Sequence, residues 1–194
     1  MGPGKDHAMK IAALAAALAL LSALPAAAAT YVVDPARSSV GFSGTNSGEA
    51  FTGTFKSWTA DIVFDPADLA GSHLKVVFDT ASATTGNAMY DGTLPQADWF
   101  AVKDYPTASF TSTAITANAD GSYTATGKLQ IRNVTNEVSF PFTLSLPANG
   151  PAEAKASLNL NRVAYGIGVQ SDPAGGWVGP YIAVTIDVVA TPKP

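Results

Sequence analysis

The sequence predicts an all-β, antiparallel domain, and three observations carry that expectation. Apolar residues recur at every second position along most of the chain. Turn signals separate the alternating stretches. Only one long segment, Ser82 to Pro106, lacks the alternation.

The alternation is plain in four stretches. Leu74, Val76 and Phe78 alternate with His73, Lys75 and Asp79. Tyr123, Ala125, Gly127, Leu129 and Ile131 alternate with Thr124, Thr126, Lys128, Gln130 and Arg132. Val138, Phe140, Phe142, Leu144 and Leu146 alternate with Ser139, Pro141, Thr143 and Ser145. Ile182, Val184, Ile186 and Val188 alternate with Ala183, Thr185 and Asp187. One apolar and one wet face per strand marks an antiparallel sheet, because parallel strands are apolar on both faces.

Further strands are expected near Tyr31–Val33, Ser38–Gly44, Thr107–Thr116 and Ala152–Asn161, giving eight or nine in all. The longest stretch runs from Phe51 to Phe64, and its phase slips near Lys56-Ser57. Such a slip predicts a β-bulge or sharp bend, as closing a barrel requires. Asp65-Pro66, Ala70-Gly71, Asp120-Gly121, Asn149-Gly150-Pro151 and Asp172-Pro173 supply turns, each with backbone dihedrals or side-chain oxygens suited to reversal. Segment 82–106 is too long for an ordinary connection. It predicts a lid with a short helix near Gln96–Phe100. Period and composition leave sandwich and barrel both open.

The termini set the compartment. Met9-Lys10, an apolar run from Ile11 to Leu24, Pro25 and the small residues Ala26–Ala29 follow the layout of a secretory signal peptide. Residues 9–29 are assigned to it, with a mature domain over 30–194. Residues 1–8 do not fit a signal and read as a cloning scar or a wrongly chosen start. The apolar run is shorter than the roughly 20 residues a spanning helix needs, so no integral membrane span is expected. The chain holds no cysteine, so neither disulfides nor a lipidated cysteine are expected. The destination is the periplasm or the exterior.

Charge excludes other partners. The whole chain carries 11 basic and 15 acidic residues. Setting aside Lys5, Lys10 and Asp6 leaves the mature chain at net −5. Its basic residues are scattered, which argues against nucleic acid and anionic membranes.

Catalytic chemistry finds little support. His73 is the one histidine of the mature chain and lies on a polar strand face. A zinc site is therefore not expected, and a serine triad would have to use His73 as its base. Gly41-Phe42-Ser43-Gly44 lacks the nucleophile-elbow spacing. Asp61, Asp65 and Asp68 do not follow calcium-loop spacing; Asp65 reads as a turn starter. Gly166-Ile167-Gly168 follows no βαβ unit, so it carries no dinucleotide signal. Asn133-Val134-Thr135 forms a glycosylation sequon. No catalytic residue, metal or cofactor is expected.

The chain resembles the YceI family along its mature length. Tyr31-x-x-Asp34-Pro35-x-x-Ser38-x-Val40-x-Phe42 is similar to the family's opening strand. Gly53-x-Phe55 with Asp61-x-x-Phe64-Asp65, and Asp98-Trp99-Phe100 with Tyr105-Pro106-x-x-x-Phe110, follow in order. Gly127-x-Leu129-x-Ile131-x-x-Val134-Thr135 and Asn161-Arg162-x-x-Tyr165-Gly166 complete the match. No one motif is specific; their order, spacing and coverage carry the resemblance. It implies an eight-stranded antiparallel lipocalin-like barrel with a lid. It also implies a long isoprenoid lipid, such as a polyprenyl phosphate or prenylated quinone, in an axial pocket. Arg37 stands where the family usually has histidine, and a second usual histidine is missing. A role for paired histidines at the mouth is therefore not expected here.

From these readings the expected ligand-binding residues are Arg37, Phe42, Phe55, Trp58, Phe78, Tyr90, Trp99, Phe100, Phe110, Phe140, Phe142, Arg162 and Tyr165. The aromatics would surround a lipid tail. Arg37 and Arg162 would meet an anionic head, although a structural ion pair or rim position is the favoured reading of Arg162. The small inward residues Ala125, Gly127, Ala154 and Ala156 are expected to leave room for a ligand. Each isoprene unit buried could gain about 3–4 kcal/mol before ordering costs, so a greasy tube alone gives affinity. The rival expectations are a filled barrel acting as a periplasmic interaction or stress-response domain, and an outer-membrane barrel with outward apolar faces. Oligomeric state is left open, a homodimer included.

Overall fold

The structure, a computed structural model, describes residues 28–193. Residues 1–8 and nearly all of the expected signal peptide lie outside them. Eleven strand segments are present: β1 (Ala29–Val33), β2 (Ser39–Asn46), β3 (Glu49–Phe55), β4 (Trp58–Phe64), β5 (His73–Asp79), β6 (Ala83–Thr84), β7 (Thr107–Ala117), β8 (Tyr123–Ile131), β9 (Val134–Ser145), β10 (Ala152–Asn161) and β11 (Tyr181–Pro192). They form one antiparallel sheet that closes where β1 pairs with both β4 and β11.

The eleven segments build eight staves. β1 and β2 follow one another along β11, with Val33 opposite Ala190 and Ser39 opposite Asp187. β4 and β3 continue the pattern, with Ile62 opposite Tyr31 and Thr54 opposite Gly41. β5 and β6 form the third stave, with Phe78 opposite Trp58 and Ala83 opposite Phe55. β7 to β11 supply the other five. The fold is thus the expected eight-stranded antiparallel barrel. The excess of segments over staves comes from corners.

Stretch 51–64 shows why. Its phase slip is an interruption between β3 and β4, sharper than a bulge within one strand. Lys56 N and Ser57 N donate to Ser82 O and Oγ, and Asp79 N donates to Ser57 O. Neighbouring staves therefore turn the corner together, and backbone groups freed from the ladder are satisfied there. A true bulge sits elsewhere, in β7 between Ser112 and Ala114.

The lid helix lies earlier than expected. It is α1 (Ala88–Thr93), not Gln96–Phe100. Asn87 caps it by accepting from Met89 N and Tyr90 N. Pro95, with no N–H to continue the ladder, follows the helix. Residues 96–101 instead form turns, with Trp99 N and Ala101 N both donating to Gln96 O.

One seam of the barrel is partly open. β9 and β10 pair only from Phe142–Ala156 to Ser145–Glu153. Pro141 stands one residue past the last pair and has no N–H to extend it. A 3-10 turn over Arg162–Tyr165 lies beside this seam, where Asn136 Nδ2 donates to Ala164 O.

Side chains fill the barrel unevenly. At the end away from the lid Phe64 meets Tyr123 edge-on and Tyr123 stacks on Phe142, with centroids 5.2 and 5.5 Å apart. Ala125 beside them is fully hidden. Most other inward residues, Leu74, Val76, Leu158 and Ile186 among them, are only half-buried. No large side chain among the described residues is wholly buried. In a packed barrel such residues would be hidden.

Candidate functional site

A cavity of about 280 Å³ runs inside the barrel, near the lower end of ligand-pocket sizes of about 300–1,000 Å³. Every stave contributes. Val184, Ile186 and Val188 enter from β11, Leu74, Val76 and Phe78 from β5, and Leu158 and Leu160 from β10. The strand pleat aims these residues inward while Ala183, Thr185 and Asp187 take the opposite face of β11. Apolar faces thus point into the barrel, contrary to an outer-membrane barrel. The cavity-facing surface is apolar throughout.

The lid closes one end. Leu94, Trp99 and Phe100 from the lid, with Ile167 and Val178 from the 162–180 loop, line the cavity there. Phe55 contacts three neighbours, with ring centroids 5.4 Å from Phe42, 5.3 Å from Phe78 and 6.0 Å from Phe100. At the other end Leu146 lines the cavity and is itself 40% exposed. That places a rim where β9 runs out.

Two carboxylates fasten the lid. Asp91 accepts from Thr84 Oγ1 and from Thr85 N and Oγ1 at 2.6–2.7 Å. These bonds, the Thr84 hydroxyl first, hold its pKa down at about 2. Asp98 accepts from Gln170 N, Ser171 N and Ser171 Oγ at 2.6–2.9 Å, and its backbone oxygen accepts from Gly168 N. Burial pushes the Asp98 pKa up. Those bonds and the charge of Arg132 outweigh it, leaving the pKa below the ordinary carboxylate value.

Eleven of the thirteen expected ligand residues line the cavity: Phe42, Phe55, Trp58, Phe78, Trp99, Phe100, Phe110, Phe140, Phe142, Arg162 and Tyr165. Tyr90 does not; it packs edge-on against Phe51, 6.0 Å away. Arg37 does not; it lies on the surface, 3.5 Å from Glu153.

The pairing of Arg37 and Arg162 at one mouth is corrected. Arg37 sits beside Val189, where Ser38 Oγ donates to Val189 O. Arg162 N donates to Pro180 O. Nine residues of extended chain span about 30 Å, so the two lie at opposite ends. Each guanidinium nitrogen of Arg162 also has a partner within the protein. Its Nε donates to Gly179 O, Nη1 to Ile167 O, and Nη2 to Asp172 Oδ2, Asp172 O and Val178 O. Its guanidinium lies 5.6 Å from the Trp99 ring centre.

The small residues divide. Ala154 and Ala156 line the cavity. Ala125 and Gly127 do not: a Cβ on Gly127 would come within 2.4 Å of Thr111 O and 2.7 Å of Phe110. Gly127 makes room for a neighbouring strand and ring, not for a ligand. Sequence reasoning also passed over the aliphatic lining, whose only signal was the period-two alternation.

Among the described residues no three His, Cys, Asp or Glu side chains cluster as metal ligands, and no helix is long and apolar enough to cross a membrane. His73 and Asp61 form an exposed pair 3.9 Å apart.

Comparison with known proteins matches this architecture. The YceI-like domain model covers residues 31–190. The chain belongs to the YceI family. Its YceI relatives include a UPF0312 protein of Pseudomonas savastanoi pv. phaseolicola, 34% identical over 161 residues, covering 78% of this chain and 84% of that one. A UPF0312 protein of Vibrio vulnificus is 32% identical over 136 residues, or 68% and 72% of the two chains. Among solved structures, BcnA of Burkholderia cenocepacia superposes with a TM-score of 0.78 at 30% identity, over 82% of this YceI chain and all of BcnA. The Campylobacter jejuni YCEI protein gives 0.63 at 26% identity, over 73% and 84%. A polyisoprenoid binding domain from Saccharophagus degradans gives 0.65 at 13% identity, over 85% and 99%. At that identity the likeness concerns the fold.

Proposed function

We propose that this YceI protein is a non-catalytic binder of an isoprenoid lipid, carried or stored in the periplasm or outside the cell. The tail lies in the barrel among Phe55, Trp58, Phe78 and Trp99, under the lid. The head stays at the rim marked by Leu146. One observation carries the reading: an apolar cavity bounded by half-buried inward side chains, where a filled interaction domain would have a packed core. The Saccharophagus degradans neighbour, described as a polyisoprenoid binding domain, agrees in fold.

Trp58 and Trp99 line the cavity, so their emission reports its filling. Titration of the protein with a farnesyl or geranylgeranyl lipid should give a saturable change at one lipid per chain. A flat titration with these and with longer prenyl chains argues against the reading.

A further inference from the structure

We infer that the site selects the hydrocarbon tail and is nearly indifferent to the head group. This deepens the lipid-binding reading and rests on it. Recognising an anionic or quinone head needs a polar group that is free and turned toward it. The cavity offers none on its apolar inner surface. Its two charged lining residues, Arg162 and Lys155, are both committed. Every guanidinium nitrogen of Arg162 is bonded, to Asp172 and four backbone carbonyls, at the lid end. Lys155 pairs with Asp187 at 3.2 Å on the outer face.

The ion pair near the rim adds little selectivity. Arg37, toward the end where Leu146 marks the rim, already faces Glu153, and both side chains are about half exposed. Such a water-washed pair is weak and screened by salt, and it gives a head group little to hold. A prenyl phosphate, a prenyl alcohol and a prenylated quinone therefore present the same ligand to this protein: a linear run of methyl-branched isoprene units. Discrimination falls on the tail. A hydroxyl at its far end would be carried among the rings of Phe55, Phe78 and Phe100, which offer no hydrogen-bond partner, and that is costly.

The test compares farnesol, farnesyl monophosphate and farnesol hydroxylated at the terminal methyl. All are titrated below their aggregation limits against the full mature protein by tryptophan emission, at low and high salt. Farnesol and its phosphate should bind within about threefold of each other, with little salt dependence. The ω-hydroxylated chain should bind at least tenfold more weakly than farnesol. Phosphate binding tighter than alcohol by tenfold or more, weakened by salt and by Arg37→Ala, would overturn the inference while leaving the lipid reading intact. Equal binding of the ω-hydroxylated chain would also overturn it. Absence of binding by all three removes both.

Discussion

Arg162 and Asp172 meet at 2.8 Å with 3% and 7% of their side chains exposed, and their contact shapes the loop that caps the barrel. Asp172 Oδ1 accepts from Gly176 N and Trp177 N; Oδ2 accepts from Trp177 N and Val178 N. The pair thus satisfies seven backbone groups between Ile167 and Gly179, four carbonyls and three N–H groups. Asp172→Ala should strand a buried guanidinium and cost about 3–5 kcal/mol in urea unfolding. A cost under about 1 kcal/mol would show that the pair is not structural.

Gly168 depends on that pair. It has φ +68°, and a Cβ there would lie 2.6 Å from Arg162 Nη1. Gly168→Ala should destabilise by about 1–3 kcal/mol through backbone strain and displacement of the guanidinium. Gly48→Ala, at φ +85° with nothing within 4 Å, isolates the backbone part. Equal costs at the two sites would mean that crowding at Arg162 contributes nothing.

The lid should loosen in acid. Asp91 and Asp98 both have pKa values below their ordinary range in the folded protein. A carboxylate with a depressed folded pKa contributes fully above its unfolded pKa, and loses that contribution as pH falls through the folded value. Lid fastening should therefore hold at pH 5 and above and weaken from about pH 4 toward pH 2. Deuterium uptake of segment 84–106, relative to the intrinsic amide rate at each pH, should rise over that window. In Asp98→Ala it should already be raised at pH 7, with a stability loss of about 1–2 kcal/mol. Unchanged uptake in the variant would refute the fastening role.

Much of this was legible in the sequence, for a physical reason. A period-two pattern with one apolar face groups the residues that share a face whether or not the sheet closes, so Val184, Ile186 and Leu158 were legible as an apolar face, though not as a ligand lining. The corner at Lys56-Ser57 left its trace as a phase slip, because a bend resets the alternation. Arg162 stood out as a charge in inward register. Other features had no local signature. Whether an inward small residue leaves a void depends on the residue across from it, so Gly127 and Ala156 look alike in sequence. The distance between Arg37 and Arg162 follows from stave direction, which strand pattern alone does not give. The lid turns after Pro95 are helix-like in composition, and only the Asn87 cap reveals where the helix begins.

Filling the cavity should abolish binding without unfolding the barrel. Ala156 lines the cavity and is half-buried. Ala156→Phe places a ring in existing space, so stability should change by less than about 1.5 kcal/mol. Prenyl-lipid affinity should fall at least tenfold. Unchanged affinity would move the ligand out of the barrel.

Whether the hollow barrel carries an isoprenoid tail can be read by native mass spectrometry of the mature protein purified without detergent from cells containing their normal lipids. A loaded barrel should show a discrete added mass, one per chain, released by organic solvent and identified as a prenyl lipid. A bare protein that stays bare after incubation with prenyl phosphates and prenylquinones would contradict the lipid-binding reading.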